Sequence, residues 1–389
     1  MKDVGVVMPV YTQVPEYLKL ALQSMLNQSY QHFHFVIVSD GASAKTVKQI
    51  KEITQGDSRV HLIEKEKNEG VPKALNTGFH YLMSIREIKY FTWVSSDNIY
   101  YPTFLEQHRN TLEQAPKNVG LSFSSFRHID ADGEQLKEPQ LKEFYDYQNQ
   151  PKENLINHCF IGVSFMYKKR YAAMIEGYKL APVEDYEYWL RITEVCDIQF
   201  IPEVLMEYRT ESPLSVSAQV KHSKDGHRKW RYAFNLARYE ARQRRHIAPF
   251  LTIIFPVDDQ MSNVETKFED LLEQTYSNFN FIIIDCSRNH SVTDALQPIN
   301  DPRLTFLQLP SGTKEEAVQL GLERANTPLT MVYGKGAFPS SPWDLNNLII
   351  QFQQDKYKSL SPVTSYEQII FEKLYFTTQL SKVKEGLQL

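Results

Sequence analysis

"FHFVIVSD", residues 33–40, is an apolar run of strand length that ends on an acid, with Gly41 directly after it. It is too short for an ordinary amphipathic helix and rich in β-branched and aromatic residues, so it reads as a strand. Its neighbours repeat the pattern. "VGVVMPV" (4–10), "VHLIEK" (60–65), "YFTWVSS" (90–96) and "VGLSFSSF" (119–126) are strand-like too. Between them, "EYLKLALQSMLNQ" (16–28) places Leu18, Ala21, Leu22, Met25 and Leu26 on one helical face, and "AKTVKQIKEIT" and "VPKALNTGFHYLMS" follow the same period. Strand–helix–strand alternation predicts an α/β fold, with a mostly parallel sheet built from right-handed crossovers and helices on both faces. Ligands of such sheets bind beyond the carboxyl ends of the strands. That directs attention to Pro9–Thr12, Ser39–Ser43 and Ser95–Asn98.

The chain has 389 residues, long enough for two or three domains, and 42% hydrophobic with 12% aromatic residues is ample for packed cores. A net charge of −4 argues against a protein adapted to nucleic acid. Among the longest apolar runs is "FLTIIFPV" (250–257), strand-sized and far short of the ~20 residues a membrane helix needs. "MKDVGVVMPVY" carries an acid and enters a strand, unlike a secretory signal. Cys159, Cys196 and Cys286 form no disulfide framework and no CxxC pair. The expected setting is cytoplasmic and reduced.

The chain also repeats itself. "VVMPV" (6–10) recurs as "IIFPV" (253–257), "LNQSYQHFHFVIVSD" (26–40) as "LEQTYSNFNFIIIDC" (272–286), and "DSRVHL" (57–62) as "DPRLTF" (301–306). "ALNTGFHYL" (74–82) is matched more faintly by "AVQLGLERA" (317–325), and "FTWVSSDNIYYP" by "LTMVYGKGAFPSSP". Preserved order with slowly shrinking offsets suggests an internal duplication. Between the copies, "KHSKDGHRKWRYAFNLARYEARQRRH" (221–246) predicts a basic helix. Such a run is expected as a solvated face bracing two domains, or as a peripheral contact with anionic lipid or a phosphorylated acceptor.

"WVSSDNIYYP" (93–102) stops a strand at two serines and a lone acid. A turn at Asp97-Asn98 accounts for this, and so does a metal site at a strand end; composition does not choose between them. Four segments in order, "VVMPVYTQVPEYLKLALQSMLNQSYQHFHFVIVSDGAS", "NEGVPKALNTG", "SSDNIYYP" and "VEDYEYWLRI", resemble the family 2 glycosyltransferases with the GT-A fold, over residues 4 to about 215. "DNIYYP" is similar to the spore-coat branch of that family.

The resemblance implies an inverting transferase that takes a sugar from a nucleotide-sugar, most simply a UDP-sugar, with Mg²⁺ or Mn²⁺ as cofactor. Asp97 matches the last acid of the family's Asp-x-Asp pattern and would be the metal ligand, with Ser96 beside it at the nucleotide. Ser95 and Ser96 replace the preceding acids, a departure that implies weaker metal binding. Asp40 matches the acid that binds the base, and Pro9, Val10 and Tyr11 match the segment packed around the nucleoside. Asn68, Gly70 and Lys73 fall in the "NxGxxxAxN" segment, where Lys73 would reach a phosphate. In Glu184-Asp185, Asp185 matches the catalytic base, and Glu184 would orient a hydroxyl or raise its neighbour's pKa. Arg191, Tyr208 and Arg209 lie where relatives often contact the diphosphate.

Bland readings stand beside each of these: an Asp-Gly turn, a surface lysine, acids favoured by a helix dipole. In the second copy Asp40 aligns with Cys286 and Asp97 with Lys335, which would repel a metal. The expected organisation is a catalytic domain over 1–218, a basic helical connector over 219–247 and a truncated, silent repeat over 248–389. The acceptor, whether glycan, lipid-linked or protein, and any homo-oligomer are left open. The competing readings are a non-catalytic nucleotide- or glycan-binding scaffold and a nucleotidyltransferase; "PVYTQVPEY" lacks the Gly-rich basic loop of the latter.

Overall fold

Strand-length runs become strands where expected. The computed structural model describes residues 2–137, 141–210, 212, 214, 220, 223–334, 338–354 and 368–377. Lys335 and its neighbours in "YGKGAF", Glu211, Pro213 and Ser215 of "YRTESPLS", and residues 221–222 of the basic segment lie outside that description. The chain divides into two units, 1–237 and 238–389.

In the first unit the elements run β1 (Val4–Val10), α1 (Pro15–Leu26), β2 (Phe33–Asp40), α2 (Ala44–Ile53), β3 (Val60–Lys65), α3 (Val71–Met83) and β4 (Tyr90–Trp93). They continue as β5 (Ile99–Tyr100), α4 (Phe104–Gln114), β6 (Val119–Ile129), α5 (Leu141–Gln148), β7 (Phe165–Lys168), α6 (Lys169–Ala172), α7 (Glu184–Ile192), β8 (Asp197–Arg209) and α8 (Lys224–Arg244). The sheet order is β3-β2-β1-β4-β7-β6-β8-β5. β3, β2, β1 and β4 are parallel neighbours, and β6 runs parallel to β8, whereas β7 pairs antiparallel with β4 and β6.

Local chemistry sets the element ends. Pro15 opens α1, where its missing N–H costs nothing, and the Ser43 side chain accepts a hydrogen bond from Thr46 N–H at the start of α2. α1 buries Leu18, Ala21, Leu22 and Met25 completely, the face read from the sequence, and Leu26 packs against the same core. α3 lies flush on the sheet at Gly78, where a Cβ would come within 2.6 Å of Val7.

The second unit contains β9 (Leu251–Val257), α9 (Val264–Leu272), β10 (Phe279–Asp285), α10 (Ser291–Leu296), β11 (Leu304–Gln308), α11 (Lys314–Arg324), β12 (Leu329–Val332), α12 (Asp344–Gln354) and β13 (Ile370–Glu372). Its order is β11-β10-β9-β12-β13, with β13 antiparallel to β12. The first five strands of the other sheet follow the same plan, β3-β2-β1-β4-β7. Registers correspond as well: Val6 lies opposite Phe35, and Phe35 opposite Val60, as Ile253 lies opposite Phe281, and Phe281 opposite Leu304. One detail differs from the sequence alignment. Leu329 stands to Leu251 as Tyr90 stands to Val4, so Leu329 corresponds to Tyr90 and not to Phe91. Continued along the chain, this register sets Gly336 rather than Lys335 against Asp97; both lie outside the described residues.

The basic segment is helical, and the division between units falls inside α8. Only part of it is the solvated face expected. Arg231, Asn235, Arg238 and Arg242 are buried along one stripe, and Ala233, Ala237 and Ala241 are buried along another. Arginines buried this way do not face a lipid surface, so three of the segment's nine Lys/Arg are withdrawn from one. No described helix is long and apolar enough to cross a membrane.

Candidate functional site

The parallel strands β1, β2 and β4 end side by side, so their terminal residues share one edge of the sheet. Asp40, the last residue of β2, is buried and held by its neighbours. Its carboxylate accepts from Lys65 Nζ at 2.6 Å, from Gly70 N–H at 2.9 Å and from Glu69 N–H at 3.1 Å. Lys65, at the end of β3, also pairs with Glu69 at 2.9 Å. Burial opposes its ammonium, but Asp40 and Glu69 outweigh that and raise its pKa. Gly41 follows with φ +71°, and a Cβ there would lie 2.4 Å from Asn68 N. Only glycine permits both that backbone and that approach. Asp40 and Gly41 thus fasten the β3–α3 loop onto the end of β2. Asn68 is exposed, with Oδ1 accepting from Gly70 N–H, and exposed Lys73 lies 3.4 Å from Glu69.

The β4 end is the loop Ser95–Asn98. Ser95 Oγ donates to Asp97 Oδ1 at 2.6 Å, and Gln13 Nε2 donates to Ser96 Oγ at 3.1 Å. Asp97 Oδ2 has no hydrogen-bond partner among the described residues. From behind, Arg209 closes the loop: its N–H donates to Asn98 Oδ1 and its Nε to the Asp97 carbonyl at 3.2 Å. Pro9 and Val10 end β1 next door, and Tyr11 after them is 49% exposed.

Glu184 and Asp185 open α7, which the aromatic core steers to the same edge. Phe165 of β7 donates no side-chain bond, yet its carbonyl accepts from Thr92 Oγ1 at 2.6 Å and its ring lies 5.9 Å from Trp93. The Trp189 ring packs on Phe165 at 4.3 Å, and Asp185 sits one turn before Trp189 on the same helical face. Both acids are half-buried. Burial, then the neighbouring Asp185, pushes the Glu184 carboxyl up to about 7, and its Oε2 is a buried oxygen with no partner. Asp185 is also raised by burial, partly offset by hydrogen bonds from the backbone N–H groups of Tyr186 and its own residue.

Residues 5–174 match the model of glycosyl transferase family 2. An uncharacterized glycosyltransferase of Methanocaldococcus jannaschii is 30% identical over 224 residues, 57% of this chain and 75% of that protein. The chain belongs to glycosyl transferase family 2. An O-antigen biosynthesis glycosyltransferase of Escherichia coli, WbnJ, is 28% identical over 65% of this chain and 94% of its own length. An uncharacterized glycosyltransferase of Rickettsia felis is 23% identical over 83% of this chain; the chain spans 59% of that relative and 51% of its Rickettsia bellii counterpart. Among solved structures, a mannosyltransferase from Pyrobaculum calidifontis in complex with GDP-Man and Mn²⁺ aligns with TM-score 0.45 and 17% identity over 63% of this chain and 64% of that one.

For a family 2 member, the structure gathers the strand-end residues read from the sequence, Asp40, Ser96 and Asp97, along one edge, with α7 beside it. It assigns other work to Arg191, which is buried in an ion pair with Glu187 at 2.6 Å and donates to the carbonyls of Glu176 and Gly177. Three residues escaped the sequence reading. Lys65 needed the β2–β3 pairing to be seen, and Gln13 needed the fold to meet Ser96. Asn76, in α3, exchanges two hydrogen bonds with Tyr178: Nδ2 donates to its carbonyl at 2.8 Å, and Oδ1 accepts its N–H at 2.7 Å. The "NxGxxxAxN" segment contains Asn76, but nothing in the sequence named its partner.

The donor chemistry suits a hard divalent cation only narrowly. Asp97 offers one carboxylate with an unpaired oxygen, and no group of three or more His, Cys, Asp or Glu side chains able to hold a metal occurs among the described residues. Asp97 is the side chain that would hold such a cation.

Proposed function

We propose that the first unit is an inverting glycosyltransferase that moves a sugar from a nucleotide-sugar, a UDP-sugar, to an acceptor hydroxyl. Residues 1–218 carry the catalysis, 219–247 connect, and 248–389 form a silent duplicate of the same α/β unit. The observation that carries this reading is Asp97 just past the end of β4 in a family 2 chain, with α7, which opens on Glu184-Asp185, packed through Trp189 on Phe165 beside Trp93. Pro9, Val10 and Tyr11 flank the nucleoside, with Asp40 and the Asn68–Gly70 loop forming the wall beside it. Since Lys65 and two backbone N–H groups already hold Asp40, a base imide N–H shares or displaces one of them. Lys73 reaches toward the phosphates. Mg²⁺ or Mn²⁺, bound through Asp97, would supply neutralisation of diphosphate charge.

Asp185 takes the proton from the acceptor hydroxyl as its oxygen bonds to the anomeric carbon; the bond from that carbon to the nucleotide breaks, and the nucleoside diphosphate departs with the electron pair. Burial raises the basicity of both acids, which suits proton abstraction near neutral pH. Glu184, with its unpaired oxygen, orients the attacking hydroxyl. The likeness to WbnJ supports an acceptor in surface polysaccharide synthesis. The test is transfer or donor hydrolysis across a nucleotide-sugar panel, in wild type and in Asp97→Ala and Asp185→Asn. Loss in both variants, with the fold intact by circular dichroism, supports the reading. Full activity in both overturns it and favours a non-catalytic binding protein.

A further inference from the structure

Arg209 is a buried cation. It is 2% exposed, ends β8, and among the described residues forms no ion pair. Its Nε donates to the Asp97 carbonyl at 3.2 Å, and its Nη1 to the Asp130 and Ala131 carbonyls at 2.6 Å and 2.9 Å. The Tyr17 ring covers its face at 4.1 Å, and the Tyr17 hydroxyl donates to the same Ala131 carbonyl. Burying a guanidinium without a carboxylate is costly unless its hydrogen bonds are satisfied and its charge serves something. Here three of the five N–H donors meet carbonyls, and the charge lies against the backbone of the Ser95–Asn98 loop. That loop carries two serines and a single acid.

We propose that Arg209 is a fixed counter-charge for a nucleoside diphosphate bound at the Ser95–Asn98 loop, sharing the neutralisation usually left to the cation, so that this site binds its nucleotide largely without metal. The inference rests on the donor-site reading above. Two consequences of electrostatics follow. A positive charge behind the loop strengthens diphosphate binding and weakens binding of a divalent cation in front of it, and replacement of two acids by serine acts in the same direction. A buried charge is poorly screened, so its reach of several ångströms through protein is enough for about a tenfold effect on each. Arg209 touches neither reacting atom; it is a positioning and electrostatic residue.

The experiment is calorimetric titration of UDP, GDP and dTDP, with and without Mn²⁺, into wild type, Arg209→Gln and Arg209→Lys. Wild type is expected to bind one of these without metal, with Mn²⁺ tightening it less than about tenfold. Arg209→Gln is expected to lose about tenfold in metal-free affinity while its gain from Mn²⁺ grows, and Arg209→Lys to stay close to wild type. A purely structural role would weaken binding with and without Mn²⁺ alike and leave their ratio unchanged; that result overturns the proposal. So does a wild type that binds nucleotide only with Mn²⁺, a result that needs no variant to fold. A wild type that binds no nucleoside diphosphate under either condition removes the donor-site reading itself, and the proposal with it.

Discussion

Gln28 in the first unit and Gln274 in the second do the same work. Gln28 Nε2 donates to the Ser24 and Tyr101 carbonyls and its Oε1 accepts from Leu105 N–H; Gln274 repeats this with Asp270, Ser341 and Leu345. Arg59 pairs with Asp57, reaches the Leu26 carbonyl and covers the Phe33 ring; Arg303 does so with Asp301, Leu272 and Phe279. Gly78 lies against Val7 as Gly321 lies against Ile254. At the strand ends the likeness stops. Where Asp40 ties down the β3–α3 loop, Cys286 stands, its thiol pushed up to about 11 by burial and nearby acids. Asp285 instead turns back on α10, accepting from Ser287 and Thr293, and Asp259 ties the β9 loop to Ser291. Residues that build the sheet are shared, and residues that would do chemistry are replaced. We propose a duplication that kept packing and changed the strand-end residues.

The sharpest way to break this contrast is to remove the chemistry from one side and try to restore it on the other. Asp185→Asn should cut transfer by about 10²–10⁴-fold, the usual worth of a general base. Cys286→Asp should create no nucleotide binding in residues 238–389, read by titration of UDP into a variant that also carries Asp97→Ala. Binding that survives Asp97→Ala and grows with Cys286→Asp would dissolve the distinction.

Next in size is the shared skeleton. Arg303→Ala takes the guanidinium away from buried Asp301, which should cost about 3–5 kcal/mol. Arg59→Ala, at a more exposed pair, should cost less. Differential scanning calorimetry measures both, and Arg303→Ala should leave nucleotide affinity unchanged.

Glu184 gives a smaller, pH-dependent effect. A carboxyl whose pKa rises from 4.5 to about 7 on folding stabilises the fold in its protonated form. That contribution is complete below about pH 4.5 and is lost as pH climbs through 7. Relative to Glu184→Gln, wild type should therefore lose about 1–3 kcal/mol between pH 4.5 and 8, seen in urea melts across that range. A flat difference would mean the carboxyl is ordinary. Least affected is Lys73→Ala, whose exposed pair with Glu69 should change stability by under about 0.5 kcal/mol while weakening nucleotide affinity a few-fold.

Much of this contrast was legible in the chain. β1, β2 and β3 span the residues read as strands, because buried parallel strands leave continuous apolar runs bounded by polar residues. β4 is shorter than its run, ending at Trp93 before the serines, and β6 is longer, since its last residues pair with β8 rather than obey a local pattern. β7 and β8 were not read at all; their partners are distant, and an antiparallel strand of four residues carries little period of its own. Among site residues, acids at strand ends were visible because position and chemistry coincide there. Lys65 and Gln13 were missed because their roles depend on which strand lies next to which. The buried arginines of α8 fail for the same reason: a charge run shows composition, not which face meets protein.

Asn76 carries one more consequence. Its side-chain amide meets the Tyr178 backbone as one strand meets another, giving and taking a hydrogen bond across 102 residues of sequence. Gly177 leaves no room for slack, because a Cβ there would lie 2.3 Å from Asn76 Oδ1. The helix that begins after the Asn68–Gly70 loop and the turn that leads to the acid pair are therefore gauged against each other by a single amide. Replacement by aspartate would set carboxylate against carbonyl at that junction. The distance between the Asn68–Gly70 loop and the acid pair would then have no ruler.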